Sequence, residues 1–378
     1  MTRRGRIIGA GLLLLLVVVM LSACGAQPVA QNWPGLTVGG GRVYVISGAP
    51  QQVYILDDQT GDELATFVPS GEQAGLPYWS PVELGGDLAF VGFAESQSGT
   101  AGLYAFDPET GQEMWNVPAD DLILPAPTYA EGVVYFGDST GKVYAVDVEG
   151  QRVKSGWPFQ AEEAIWASPL VTGGRVYVAS MDHSVYALDA ESGQELWRTE
   201  LGGAMAAKPV VDTSGQTLYV GSFNGRLYAL RADSGEKVEG FDFKADNWIW
   251  SEVLLANDQI YVTSLDGRLY ALDPANGNVV PPYPYDSSEV SGTNEQIRAS
   301  PAEAGGYIIV AAGSGRVIAV DNAQRQWYWP SGIPQSAVYT TPVVSNGWVY
   351  VVLMDGQVQA LDSEDGGLQW SFSPPESQ

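Results

Sequence analysis

The side chains best suited to covalent or metal chemistry are scarce, with one cysteine, Cys24, and one histidine, His183, among 378 residues. A single cysteine can form no internal disulfide and no Cys-x-x-Cys metal or redox pair. A single histidine excludes any site built on two histidine ligands and leaves one candidate base for a nucleophile. No nucleophile stands beside it in the turn Met181-Asp182-His183-Ser184. We therefore expect a solvated loop histidine and a protein that binds without turnover.

Cys24 follows a segment with the features of an export signal. Three arginines precede an apolar run of 15 residues, Ile7–Leu21, and Leu21-Ser22-Ala23-Cys24 resembles a bacterial lipobox. An uncleaved anchor is the alternative, but a bilayer span needs roughly 20 residues. We expect a signal peptide at 1–23 and a lipidated Cys24 with a short tether at 24–33. The protein would then be an exported lipoprotein, anchored on the extracytoplasmic side of the membrane.

The charge balance narrows the class of partners. Without the leader's three arginines, 15 basic side chains remain against 44 acidic ones, which gives a net charge of −29. Nucleic acid is held by clustered Lys and Arg, so we expect no nucleic-acid partner. Charged residues are only 16% of the chain, which is too few for a disordered polyelectrolyte.

A five-residue pattern, apolar-Tyr-Ala-apolar-Asp, recurs with variations along the rest of the chain. Its eight copies begin at Val53, Leu103, Val143, Val185, Leu227, Leu269, Val317 and Val358. A spacing of 40–50 residues in a strand-rich chain indicates four-stranded blades around an axis. The sequence thus predicts an all-β, eight-bladed β-propeller of four-stranded antiparallel blades at 34–373, with a tail at 374–378. Whether a segment near Trp33 also pairs into the last blade stays open.

The pattern extends into a longer signature, Ala-x-Asp-x-x-x-Gly-x-x-x-Trp, which is complete in the copies ending at Trp115, Trp197 and Trp370. Ala is small where blades meet, Asp can accept the turn's backbone N–H groups, and Gly adopts a left-handed conformation. Trp buries a large ring while its indole N–H seeks a carbonyl. We expect these three tryptophans to dock structurally. Copies with Ala65, Glu239 or Pro281 in place of Trp predict degenerate blades.

This signature resembles the tryptophan-docking repeat of PQQ-type β-propellers, a family that includes quinoprotein alcohol dehydrogenases and the BamB lipoproteins of outer-membrane β-barrel assembly. In the dehydrogenases, the family pattern adds a vicinal Cys pair on the quinone, acidic calcium ligands and a catalytic Asp. One cysteine cannot supply that pair, so we expect no enzyme and neither PQQ nor calcium. The BamB resemblance implies a non-enzymatic, monomeric scaffold in envelope protein assembly, with a membrane β-barrel protein as partner.

Candidate binding residues lie on the propeller face that carries the loops between blades. They are Tyr78, Trp79, Trp166, Trp248, Trp250, Tyr339 and Arg298. Most are aromatic and precede the first strand of a blade, so they should crowd the mouth of the central channel and anchor a partner protein. Two alternatives stay open. Each ring could simply pack over its neighbouring blade, or the rings could stack a carbohydrate of the cell wall with Asp246 and Asn247 as polar partners.

Two long loops, Ala94–Thr100 and Pro281–Arg298, belong to the same face. Long loops on a rigid scaffold are where recognition tends to reside. Four basic residues also recur just after the turn between the second and third strands: Lys142, Arg226, Arg268 and Arg316. Because the repeat itself favours a basic residue there, we interpret these four as structural.

Overall fold

The computed structural model describes residues 35–48, 51–69, 80–94, 101–292, 295–321, 323–330 and 336–375. Within them, 33 strands form eight antiparallel sheets, and the one helix, α1 (Ser288–Ser291), has four residues. The predicted eight-bladed, all-β architecture is confirmed. None of the described residues belongs to a helix long and apolar enough to cross a membrane. The signal peptide, Cys24 and the tether lie outside the described residues.

Each blade consists of successive strands that run from the innermost to the outermost position. Blade 1 contains β1 (Leu36–Gly39), β2 (Arg42–Gly48), β3 (Gln51–Asp57) and β4 (Glu63–Phe67). Blade 2 contains β5 (Glu83–Gly85), β6 (Leu88–Ala94), β7 (Ala101–Phe106) and β8 (Glu113–Ala119). Blade 3 contains β9 (Thr128–Ala130), β10 (Val133–Gly137), β11 (Lys142–Asp147), β12 (Arg152–Val153) and β13 (Phe159–Gln160). Blade 4 contains β14 (Leu170–Thr172), β15 (Arg175–Ala179), β16 (Ser184–Asp189) and β17 (Glu195–Glu200).

The other four blades repeat this order, and in all eight the recurring five-residue pattern forms the third strand. Blade 5 contains β18 (Val210–Val211), β19 (Thr217–Gly221), β20 (Arg226–Arg231) and β21 (Phe243–Lys244). Blade 6 contains β22 (Leu254–Ala256), β23 (Gln259–Thr263), β24 (Arg268–Leu272) and β25 (Tyr285–Asp286). Blade 7 contains β26 (Ala302–Ala304), β27 (Tyr307–Ala311), β28 (Val317–Asp321) and β29 (Gln324–Trp329). Blade 8 contains β30 (Val343–Ser345), β31 (Trp348–Val352), β32 (Val358–Asp362) and β33 (Leu368–Phe372).

The core is divided among the contacts between neighbouring blades. Within the described residues, eight clusters of buried apolar side chains each join two successive blades. Because every blade has a neighbour on both faces, the second and third strands are buried on both faces and read as continuous apolar runs, as β16 does. The sheets therefore stand as rigid blades that hold their loops in fixed positions.

Outer-strand tryptophans join one blade to the next. Trp197 Nε1 donates to the Ala232 carbonyl at 3.2 Å, and its ring faces Gly235 of blade 5. A Cβ atom at Gly235 would lie 2.5 Å from that ring, and its φ of 74° also favours glycine. Trp327 and Trp370 donate in the same way, at 3.2 and 3.0 Å. Trp115 is equally buried and lies against Phe90.

Blades 3, 5 and 6 fill the docking position from a bent outer strand, which the sequence analysis missed. In these blades the docked ring has its centroid 5.7–5.8 Å from that of the tyrosine on the second strand; the docked residues are Trp157, Phe241 and Tyr283. The corresponding centroid distance for Trp197 is 5.9 Å. The prediction that Pro281–Arg298 is one loop is therefore wrong for the first residues of this segment. Its first residues lead into β25, which pairs with β24, and the loop follows that strand.

Side-chain contacts close the ring between blades 8 and 1. Tyr350 Oη and Trp370 Nε1 both donate to the Asp58 carbonyl, at 3.1 and 3.0 Å, and Asn346 Nδ2 donates to its carboxylate at 3.1 Å. The first strand of blade 1 lies beside the first strand of blade 8. Within the described residues, all four strands of blade 8 come from contiguous sequence. Closure in this part of the chain thus requires no strand exchange between the two blades.

Candidate functional site

The first strands of neighbouring blades lie side by side and form the wall of a central channel. Burial alternates along the segments that lead into these strands. In blade 4, Ile165, Ala167 and Pro169 are buried, whereas Trp166, Ser168 and Leu170 are half-buried. Because successive side chains of an extended segment point to opposite sides, the half-buried set faces the channel.

One equivalent position at the channel mouth collects most of the predicted binding residues. In blades 3 to 8 it directly follows a fully buried apolar side chain, such as Ile249 or Ile297. We call this set the mouth ring; its members are Leu124, Trp166, Ala206, Trp250, Arg298 and Tyr339. Tyr78 and Trp79 lie outside the described residues, as do residues 95–100 of the predicted recognition loop.

Five side chains of the mouth form a continuous stack, which we call the ladder: Trp248, Phe223, Trp250, Arg298 and Tyr339. Phe223 stacks on both tryptophans, with ring centroids 4.8 Å apart in each pair and interplanar angles of 12° and 20°. The Arg298 guanidinium lies 6.0 Å from the Trp250 ring centroid and 4.7 Å from that of Tyr339. The ladder thus spans blades 5 to 8.

Backbone hydrogen bonds of the turn between the second and third strands set the position of Phe223. The Phe223 N–H donates to Ala204 O at 2.9 Å, and the Gly225 N–H closes the turn on Ser222 O at 3.0 Å. Sequence reasoning did not single out Phe223. The available signal was the equivalent turn position in blades 4 and 6, where Met181 and Leu265 are also apolar.

The tryptophan rings of the ladder are half-buried, so they are neither fully packed against the neighbouring blade nor fully exposed to a partner. Trp248 and Trp250 pack against Phe223 of the neighbouring blade, as the packing interpretation requires, yet both keep part of their surface exposed. Trp166 is half-buried and has no ring contact with the ladder within the described residues.

The polar residues proposed as carbohydrate partners are engaged within the protein. Asp246 accepts from Arg268 at 2.8 Å. Asn247 accepts from the Trp248 N–H at 2.8 Å and donates to Leu265 O at 3.4 Å. The recurring basic residues also bond locally: Lys142 pairs with Asp120, Arg226 pairs with Asp242, and Arg316 donates to Pro330 O at 3.3 Å. These contacts agree with a structural role for the four basic residues.

Arg298 differs from the basic residues of the repeat. The Nε atoms of Arg298 and Arg316 are both buried without a hydrogen-bond partner among the described residues. Arg316 also donates to Pro330 O at 3.3 Å, whereas the terminal nitrogen of Arg298 reaches only Gln296 Oε1, at 3.5 Å. Within the described mouth ring Arg298 is the one charged member. The ladder therefore offers a cation between two aromatic rings, an arrangement that suits an anionic or aromatic group of a partner.

Charged groups also lie deeper in the channel, where Lys208 and Glu252 occupy equivalent positions of blades 5 and 6. Burial raises the pKa of the Glu252 carboxyl, and the positive charge of Lys208 opposes that rise. Burial likewise raises the pKa of Glu83, whose Oε1 accepts from the Tyr129 N–H at 2.9 Å. These carboxyls are costly to ionise in place.

The channel mouth does not fit a quinone cofactor of the dehydrogenase type. The chain's one cysteine cannot form the vicinal pair that the family pattern places on the quinone. Phe223 and Arg298 also lie over the Trp250 ring, so this ring already has stacking partners within the protein. No three His, Cys, Asp or Glu side chains of the described residues group as metal ligands. His183 takes a left-handed turn conformation, and its carbonyl accepts from the Leu201 N–H at 2.8 Å.

Comparison with known sequences identifies a family. A family model described as "Outer membrane protein assembly factor BamB" matches residues 49–281 and 286–378. Over 81 residues the chain is 41% identical to the outer membrane protein assembly factor BamB of Salmonella typhimurium and 37% identical to that of Escherichia coli K12. Each of these alignments spans 19% of this chain and 21% of the relative, so the chain matches about a fifth of their length.

Comparison with solved structures identifies the fold. BamB from Moraxella catarrhalis superimposes with a TM-score of 0.68 at 20% identity, covering 86% of this chain and 92% of that one. The C-terminal WD40 domain of Sif2 gives 0.70 at 9% identity, with 88% and 97% covered. A quinohemoprotein alcohol dehydrogenase from Pseudomonas putida HK5 gives 0.61 at 14% identity, with 83% and 68% covered. Because assembly factors and enzymes share this architecture, the fold alone does not choose between them.

Proposed function

Because this chain belongs to the family of the outer membrane protein assembly factor BamB, we propose that it is a non-enzymatic binding scaffold of the cell envelope. It presents the ladder face of its propeller to a partner protein. The partner is a membrane β-barrel protein or its assembly machinery, as the names of the relatives suggest. The scaffold works as a monomer that a lipid on Cys24 holds at the membrane.

The ladder is the observation that supports this proposal most directly. Trp, Tyr and Arg are the residue types that dominate the energy of protein interfaces, and they act best at the centre of a well-packed patch. Here Trp250, Arg298 and Tyr339 lie at one equivalent position of successive blades, half-buried and held by their neighbours. Little side-chain entropy would be lost on binding, because the stack already fixes these rotamers.

The charge of the chain and the polar contacts of the mouth bear on the alternatives. A net charge of −29 for the mature chain opposes nucleic acid. A carbohydrate site needs free polar groups beside the rings, but Asp246 and Asn247 bond within the protein. Arg298, the one charged member of the described mouth ring, therefore favours a protein partner with an acidic or aromatic side chain at this point.

Affinity capture from detergent-solubilised envelopes tests the proposal, with the full-length lipidated protein as bait. A Trp248→Ala/Arg298→Ala variant removes one end of the ladder and the cation that lies between Trp250 and Tyr339. An Asp87→Ala/Glu303→Ala variant is the matched control, since these exposed residues lie near the turns on the opposite face. We expect a membrane β-barrel protein with the wild type and the control, and its loss with the ladder variant. Equal recovery with all three baits would refute the role of the ladder.

A further inference from the structure

The outer edges of blades 8, 1 and 2 carry exposed apolar side chains that the proposed function does not use. Leu368 on β33, Leu64 on β4 and Met114 on β8 are 50%, 50% and 54% exposed. Each belongs to the outermost strand of its blade, and no other strand of the described residues pairs with the free edge of these strands. Single exposed apolar residues are ordinary on a protein surface, but these three lie on three successive blades.

The three side chains lie on the outer strands of three successive blades, and we call them the apolar row: Leu368, Leu64 and Met114. Trp370, two residues after Leu368, lies against Gly61, three residues before Leu64. In the next blade boundary, the Thr66 carbonyl, two residues after Leu64, lies against Gly111, three residues before Met114. Both boundaries therefore bring the outer part of one blade against the outer turn of the next, and each of the three blades carries one exposed apolar side chain on its outer strand.

The surroundings of the apolar row are strongly acidic. The outer strands of these blades and the turns that precede them, at 57–67, 107–119 and 362–372, contain ten acidic side chains and no basic one. Arg42 is the one basic residue in the whole described part of the three blades. Arg42 is already paired with Glu109, at 3.4 Å. The other 14 basic residues of the mature chain belong to blades 3 to 7. Glu63 and Glu113 directly precede two members of the row, so the negative charge lies beside the apolar surface.

This combination selects the chemistry of an occupant. Carboxylates along an unpaired edge repel a second copy of this chain and an anionic lipid surface, since both are negative. A basic segment would instead gain from the charge while its apolar side chains cover the row. We propose that the apolar row is a second docking surface, which binds a protein segment that carries Lys or Arg beside apolar residues. It lies on the outer rim and is separate from the ladder.

Binding of two synthetic peptides tests this proposal on the whole exported chain. Both peptides have the same length and number of lysines, and they alternate Lys with either Leu or Ser. The test variant is Leu64→Ser/Met114→Ser/Leu368→Ser. Leu196→Ser is the matched control, because Leu196 is 49% exposed on the outer strand β17 of blade 4. We expect the triple variant to bind the Lys-Leu peptide at least tenfold more weakly than the wild type and the control do.

Three results would overturn the proposal. The first is equal affinity of the wild type and the triple variant for the Lys-Leu peptide, with thermal unfolding confirming that both are folded. The second is equal affinity of the wild type for the two peptides, which would show charge attraction alone. The third is binding of the wild type, but not of the triple variant, to phosphatidylglycerol-containing vesicles, which would assign the row to a membrane. Binding of the Lys-Leu peptide by a Trp248→Ala/Arg298→Ala variant separates this surface from the ladder.

Discussion

Replacement of Trp370 tests how the propeller closes. The Trp370 indole joins blade 8 to blade 1 through the Asp58 carbonyl, which also accepts from Tyr350 Oη. Trp197 makes the equivalent contact inside the ring, on the Ala232 carbonyl that Tyr177 Oη also reaches. The two sites share these contacts, but Trp370 is the more buried and lies at the boundary that closes the ring, where Asn346 also donates to the Asp58 carboxylate. If closure depends on the same local contacts as any other blade boundary, equivalent substitutions should have equal effects.

The size of the effect follows from these contacts. Trp→Phe at either position keeps an aromatic ring but removes one hydrogen bond, and the carbonyl keeps its tyrosine partner, so we expect a loss of about 1 kcal/mol. Trp→Ala also removes the buried ring, which should cost about 3–5 kcal/mol. Urea unfolding measures these free energies, with an unchanged m-value as evidence that the compactness of both states is unaltered.

Comparison of the two Phe variants tests whether the ring closes through local docking contacts alone. Equal losses for Trp370→Phe and Trp197→Phe would support closure by local docking alone. A loss at Trp370 that exceeds the loss at Trp197 by 2 kcal/mol or more would refute this reasoning, because it would show that the closing boundary carries a further interaction. For Trp370→Ala we also expect faster amide exchange in β1 and β30, the strands that meet at this boundary.

Three further predictions concern packing, charge and the ladder. Gly235→Ala should lower the free energy of urea unfolding more than Gly240→Ala does, because both glycines have positive φ but a Cβ atom meets the Trp197 ring only at Gly235. We expect a loss of about 1–2 kcal/mol from the backbone at either position and about 1–3 kcal/mol more from the overlap at Gly235. Equal losses at the two positions would contradict this. Because burial raises the pKa of the Glu252 carboxyl, its contribution to stability is complete below the ordinary carboxyl pKa of 4.5 and is lost as pH rises through the pKa of the folded state. Glu252→Gln should therefore raise Tm at neutral pH and flatten the pH dependence of Tm, and a parallel pH profile would argue against it. Phe223→Ala removes two stacked ring pairs and should cost about 1–3 kcal/mol in urea unfolding, whereas a loss below 0.5 kcal/mol would show that the stack contributes little.

The propeller could be predicted from the sequence because the signal repeats. Seven of the eight copies place a small Ala at the blade contact, and seven place an Asp at the turn. Eight weak signals at a regular spacing together make a strong one. The structure shows these roles directly: Ala187 is fully buried, and Asp57 Oδ1 accepts from the Gln59 and Thr60 N–H groups at 2.9 Å. Trp327 escaped detection because its turn is two residues shorter than the signature requires.

The bent outer strands could not be predicted in the same way. The fixed spacing in the signature finds Glu239 and Pro281 where tryptophan would stand, and it therefore predicted degenerate blades. The chain instead bends and brings Phe241 and Tyr283 to the same place from a few residues further on. A change of spacing that preserves a contact in space is visible only once the strands are paired.

Four of the five ladder residues could be predicted from the sequence, but Phe223 and the contacts that join the five could not. The aromatic residues before the first strands were evident from the repeat, and the equivalent position places Trp250, Arg298 and Tyr339 side by side on neighbouring blades. Phe223 joins Trp248 to Trp250 from a different turn, 25 residues or more away along the chain. Such a contact depends on how blades are spaced around the axis, and a single sequence does not specify that spacing.

Site-specific photo-crosslinking in intact cells tests the central claim most directly. A photoreactive residue would replace Tyr339 in the ladder and, as the control on the opposite face, Asp87 in the turn between β5 and β6. The proposed scaffold role predicts a crosslink to a membrane β-barrel protein from position 339, and none from position 87. A crosslink to that protein from position 87 alone would contradict the assignment of the ladder as the binding face, and no protein crosslink from either position would contradict the scaffold role itself.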